Sequence, residues 1–137
     1  MPNARHVLCA VVLALLHLNA RALDVDGFQK LVDLSNRGIA DDKGLQAKLS
    51  LMYYFQGISD MITGARDKES GEVYYAGPKK ICLPQTVTLR HDLLQAMTEQ
   101  QVRNAENSAA FNPGWKASNL NLFVFLALSS NYPCTNR

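Results

Sequence analysis

The chain has 137 residues, 47% of them hydrophobic and 19% charged, with 14 basic against 12 acidic side chains. That length suits one globular domain, and a balance so close to neutral gives no electrostatic footprint for nucleic acid or an anionic membrane.

Arg5 and His6 precede the apolar run Val7 to Leu18, and Ala20-Arg21-Ala22 offers a small-x-small cleavage site ahead of Asp24. The pattern predicts an export signal over residues 1–22 and a mature domain over residues 23–137. The run is too short to span a bilayer, so no membrane anchor is expected after cleavage. Removal takes Cys9, Arg5 and Arg21 with it and leaves 12 basic and 12 acidic residues, two cysteines (Cys82 and Cys134) and one histidine, His91. An even cysteine count in an oxidising compartment favours a structural disulfide over a reactive thiol. If Cys82 and Cys134 pair, they close a loop of about fifty residues, which the chain-entropy model credits with roughly 4 kcal/mol.

Asp24 to Asn36 carries Phe28, Leu31, Val32 and Leu34 in a short helical pattern closed by Arg37-Gly38, where glycine suits the left-handed residue past a helix end. Asp41-Asp42 can cap a second, longer helix running to about Ile62, with Gly64 beyond it. Its apolar residues form two sets. Leu45, Leu49, Met52 and Tyr53 make one stripe and Leu51, Tyr54, Phe55, Ile58, Met61 and Ile62 make the other; a bundle core accounts for most of both, and a dimer contact using one of the two stripes is the alternative. Gly57 inside this helix costs about 1 kcal/mol relative to alanine, which suggests a close helix crossing there.

From Gly64 to Lys80 the periodicity stops, and the sequence reads as a long polar surface loop with solvated charges. A small hairpin of Glu72–Ala76 with Lys79–Leu83 is conceivable across Gly77-Pro78, but the proline argues against it. Pro84 ends this stretch, and Thr86 or Thr88 can cap a third helix carrying Leu89, Leu93, Ala96 and Met97. Asn107 to Trp115 is a second irregular connection, marked by Pro113-Gly114. Leu120 to Leu128 is apolar except for Asn121, and the span from Ser118 to Ser130 is long for a strand, so a buried helix ending before Pro133 is expected. The fold class is thus all-α, a small disulfide-stapled bundle of about four helices.

Chemistry-bearing residues are sparse. His91-Asp92 is the one histidine–carboxylate pair of the mature chain, and neighbours on a helix point about 100° apart, which leaves the aspartate poorly placed to orient the imidazole. A secreted hydrolase using His91 would need such a pair, and a phospholipase would add a glycine-rich calcium loop that is missing here. One histidine and two paired cysteines make no usual zinc set, and Asp24, Asp26, Asp41 and Asp42 have helix capping as their ordinary role. No catalytic set, metal or cofactor is expected. What remains is a scaffold with two irregular connections, whose aromatic residues are the candidate partner contacts: Tyr74 and Tyr75 in the first, Phe111, Asn112 and Trp115 in the second. Each of Tyr74, Tyr75 and Trp115 has as its alternative a place folded over the core.

The order Tyr54-x-x-Gly57-x-x-Asp60, a variable loop, Ile81-Cys82-Leu83-Pro84-x-x-Val87-Thr88, then Leu126-Ala127-Leu128 running into Tyr132-Pro133-Cys134 resembles the Tai/Rap family. These are periplasmic immunity proteins paired with peptidoglycan amidase effectors of type VI secretion. The resemblance extends from about Leu51 to Cys134, and Asn104 to Trp115 departs from it. It implies an all-helical fold with a disulfide at Cys82 and Cys134, a homodimer, and a surface loop placed in the catalytic cleft of a peptidoglycan amidase. Such a protein is no enzyme. The competing expectation is a small periplasmic structural or chaperone-like helical protein.

Overall fold

Asp24 opens the first helix through its own side chain. Its Oδ1 accepts the Gly27 N–H at 2.7 Å, satisfying one of the donors that every helix start leaves unpaired, and fixes α1 at Val25–Ser35. The computed structural model describes residues 23–76, 79–108 and 114–134. The expected export signal, Gly77-Pro78, Phe111 and Asn112 lie outside the described residues.

Gly38 follows α1 with φ +90°, the left-handed conformation expected of it. Asp41 Oδ1 then accepts the Lys43 N–H at 3.1 Å and starts α2, Asp42–Ala65. The helix runs past Gly64, where the sequence suggested a stop. The tight glycine is Gly44, where a Cβ would collide with the Gly38 carbonyl and lie 3.1 Å from that of Leu34. Gly57, expected at a helix crossing, has nothing within 4 Å of its would-be Cβ.

The fold is mostly helical and not strictly all-α. Strands β1 (Glu72–Ala76) and β2 (Lys79–Cys82) pair antiparallel, with Glu72 opposite Cys82, Val73 opposite Ile81 and Tyr74 opposite Lys80. The period-2 pattern explains the hairpin, since Val73 and Ile81 face the core and are 2% and 0% exposed, while Tyr74 and Lys80 face outward. Both strands exclude the proline that argues against a hairpin, β1 ending at Ala76 and β2 starting at Lys79.

The third helix, α3, spans His91–Glu106 and starts later than expected. Neither Thr86 nor Thr88 caps it; Arg90 holds the cap position without a side-chain hydrogen bond. Its own buried residues are Leu94, Thr98, Val102 and Ala105; of the expected stripe, Leu89 is buried in the core just ahead of the helix and Met97 packs half-buried against it, whereas Leu93 is 40% exposed and Ala96 is exposed. A 3₁₀ turn at Trp115–Ala117 leads to α4, Leu120–Asn131. This last helix is as expected, with Asn119 Oδ1 accepting the Asn121 N–H at 2.9 Å.

One core joins all of these elements. Val25 and Phe28 of α1, Leu51, Phe55 and Ile62 of α2, Leu94 and Val102 of α3, and Leu120, Phe123, Val124 and Leu128 of α4 enclose the inward residues of the hairpin. Phe28 meets Phe55 edge to face at 5.8 Å, a geometry that adds about 0.5–1.5 kcal/mol to the area buried. The polar intruders are satisfied. Ser59 donates to the Leu89 carbonyl, Thr98 donates to that of Leu94 at 2.8 Å, and among the described residues no buried side-chain nitrogen or oxygen lacks a partner.

Candidate partner-binding hairpin

The stretch from Gly64 to Lys80 reads as a polar loop, yet from Arg66 onward the described residues are held in place by hydrogen bonds and a disulfide. Asp67 Oδ1 accepts three hydrogen bonds: from the Ser70 N–H at 2.7 Å, the Ser70 hydroxyl at 2.9 Å and the Glu69 N–H at 3.0 Å. These donors favour the carboxylate and hold its pKa below the usual aspartate value, the Ser70 N–H contributing most. The Asp67 backbone joins in, its N–H donating to the Glu72 carbonyl at 2.9 Å and its own carbonyl accepting from the Gly71 N–H at 3.0 Å. Gly71 closes the turn with φ +73°, and a Cβ there would come within 2.6 Å of the Leu83 carbonyl oxygen.

Three further ties fix the base of the hairpin. The Gln85 amide donates to the carbonyls of Lys68 at 2.7 Å and Asp67 at 3.1 Å. The Arg66 guanidinium donates to the carbonyls of Pro84 at 3.1 Å and Val87 at 3.2 Å. The disulfide between Cys82 and Cys134, with Cα atoms 4.9 Å apart, fastens the end of β2 to the segment after α4.

The outward face of the hairpin carries Tyr74, 64% exposed, opposite Lys80. Lys80 Nζ donates to Glu72 Oε1 at 2.6 Å, and that hydrogen bond raises the lysine pKa above its ordinary value. The Tyr74 hydroxyl donates to the other carboxylate oxygen of Glu72 at 3.3 Å. Tyr, Lys and Glu thus form one small linked patch. The register shifts between Tyr74 and Ala76, which makes Tyr75 the extra residue of a bulge in β1; its side chain lies outside the described residues.

The second set of candidate contacts sits elsewhere. Trp115 is half-buried, its ring centroid 5.5 Å from that of Phe123, with Lys116 Nζ 5.6 Å over its face. The residues around it lead into the N-terminal end of α4, whereas the Cys82 N–H donates to the Tyr132 carbonyl just past the other end. With 12 residues, α4 is about 18 Å long. The structure therefore does not bring Tyr74 and Trp115 together.

His91 and Asp92 do not form a dyad. Asp92 is engaged by the Arg90 guanidinium in a two-pronged pair, at 2.8 and 3.0 Å, which holds its pKa below the ordinary aspartate value. His91 lines a shallow hollow of about 420 Å³ with Ile39, Leu45, Leu49 and Met52. A second groove, of about 480 Å³, runs between α1 and α3, where Lys30 pairs with Asp26 at 2.6 Å, Arg103 with Glu99 at 3.5 Å and Lys116 with Glu106 at 3.3 Å. Among the described residues no group of three or more His, Cys, Asp or Glu side chains is placed to hold a metal ion, and no helix is long and apolar enough to cross a membrane.

Asp67, Gln85 and Arg66 escaped the sequence reading. Asp67-x-x-Ser70-Gly71 does carry a signal, because an aspartate whose side chain accepts from the next few N–H groups, followed by glycine, is turn chemistry. Nothing in the sequence announces Gln85 or Arg66, whose partners are distant backbone carbonyls. Comparison with protein-family models, with curated proteins and with solved structures finds no match to this chain.

Proposed function

We propose that this chain is an exported inhibitor of the immunity-protein kind, which binds a type VI secretion peptidoglycan amidase and protects the cell wall by occluding the enzyme's cleft with its hairpin. One observation carries the reading. A short hairpin is fixed at its base by a disulfide, a hydrogen-bonded aspartate turn and two buried side chains, and it presents Tyr74, Lys80 and Glu72 outward. An element already rigid in its binding shape loses little conformational entropy when it docks, which is what a cleft-filling inhibitor requires. Inhibition by occlusion asks for no nucleophile, base, metal or cofactor from the inhibitor. The test is protection in the periplasm: co-expression with a panel of such amidases should rescue cells from lysis and yield a stable complex, and Tyr74→Ala should weaken both. Absence of rescue and of complex across the panel overturns the reading.

A second reading draws on a different surface. Between Leu49 and Ala65, α2 carries one charged residue, Asp60, and α4 carries none, yet Tyr53, Met61 and Leu122 are 68%, 57% and 47% exposed. A surface depleted of charge with large apolar residues suits protein contact, and supports a homodimer or a structural, chaperone-like role without an amidase partner. Self-association in solution without any amidase complex would favour it.

A further inference from the structure

We propose that the hollow between α2 and the start of α3 binds a medium-chain fatty acid, its carboxylate held at the rim by Lys48 and its acyl chain laid along Leu45, Leu49 and Met52. The hollow measures about 420 Å³, a size that suits a small organic ligand. Buried Leu51 forms part of its lining, whereas Ile39, Leu45 and Leu49 are large apolar side chains that the fold leaves exposed around it. An acyl chain laid over them would remove that apolar surface from water. From Leu45 to Met52 the helix advances roughly 10 Å, about the reach of an extended chain of eight to ten carbons.

The charges at the hollow select the other end of the ligand. Of the residues that line it, Lys48 and Asp92 are charged. The Asp92 carboxylate is already engaged by the Arg90 guanidinium at 2.8 and 3.0 Å, so it has little to offer a cationic ligand. The exposed Lys48 ammonium makes no ion pair or hydrogen bond among the described residues. The side chains of Asn36 and His91 line the same hollow and have no hydrogen-bond partner among the described residues either. An uncompensated cation with neighbouring donors, beside an apolar surface, complements one anionic group on an apolar tail. Helix α3 begins at this hollow without a side-chain cap, and the positive end of its dipole adds to the attraction. The inference does not rest on the proposed amidase partner.

Calorimetric titration of the full chain with decanoate, kept below the concentration at which it forms micelles, tests the site. One decanoate should bind per chain. Octanoate, two methylenes shorter, should bind roughly tenfold more weakly, and uncharged decanol about fivefold more weakly. Lys48→Gln should weaken decanoate about fivefold and leave decanol unchanged, while Leu49→Gln should weaken both. Bound decanoate should raise the unfolding temperature, because it favours the folded state. Absence of saturable binding, several decanoates per chain, a lowered unfolding temperature or an affinity indifferent to Lys48→Gln each overturn the proposal. Amide chemical shifts of the unsubstituted chain locate the ligand without any variant. Those of Leu45, Leu49 and His91 should move on titration and that of Tyr74 should stay; shifts confined to other residues overturn the assignment.

Discussion

The hairpin segment and the outer face of α2 look in sequence like a loose loop and a core stripe, and in the structure they exchange roles. Arg66–Arg90 is rich in charge, yet its turn, its strands and its base are tied by hydrogen bonds and a disulfide. Leu45, Leu49 and Tyr53 of α2 stand at apolar helical spacing, yet they are 39%, 39% and 68% exposed. Composition reports what a segment would cost to bury. What orders a segment is whether its backbone groups find partners, and a few well-placed polar side chains accomplish that without hydrophobic bulk.

The contrast can be broken from the hairpin side first. Replacing Cys82 or Cys134 by serine should lower unfolding stability by about 2–4 kcal/mol, since the bond spans 52 residues of sequence; chemical denaturation without reductant measures it, and an unchanged midpoint would mean the bond adds nothing. Gly71→Ala should cost about 2–3 kcal/mol, because it combines a left-handed backbone with a Cβ pressed on the Leu83 carbonyl. Gly57→Ala is the mirror of that experiment. Its surroundings are open, so alanine should stabilise by about 0.5–1 kcal/mol through helix propensity alone. A loss of stability at Gly57 would show that something packs there in solution.

Acid sharpens the comparison further. The folded pKa of Asp67 is lowered by its three donors, so its contribution to stability is present above the ordinary aspartate value near 4 and is lost as pH falls through the depressed folded value. Asp67→Asn should flatten the acid limb of the stability profile, and a profile parallel to that of the parent chain would discount the turn. The smallest effect on folding belongs to Tyr74→Ala, expected within about 0.5 kcal/mol because the ring is exposed; any large consequence of that change should appear in partner binding.

Much of the helical framework is legible in the sequence because its signals are local. Asp24 and Asp41 are caps that act within three residues, Gly38 is a helix terminator, and the length of the Leu120–Asn131 run settles its type. Failures begin where a decision depends on distant contacts. Helix α3 presents Leu94, Thr98 and Val102 inward because its facing partners in α4 select that side, and its sequence offers two apolar stripes of similar weight. Gly57 and Gly44 are equivalent on a helix-propensity scale, and their difference lies in Leu34 and Gly38 passing close to one of them. For the candidate site, Tyr74 is legible as an exposed aromatic, whereas its link to Lys80 through Glu72 needs the strand register, which alternation alone does not supply.

The disulfide also divides the molecule in a topological sense. Cys82 and Cys134 close a covalent ring that contains α3 and α4 and leaves α1 and α2 outside it. A protease cut anywhere from Leu83 to Pro133 opens the ring but separates nothing, so the nicked protein should run as one species until reductant divides it. A cut in the turn at Lys68 meets no such ring. It leaves the two halves joined by non-covalent contacts alone, and a denaturant would part them whatever the redox state.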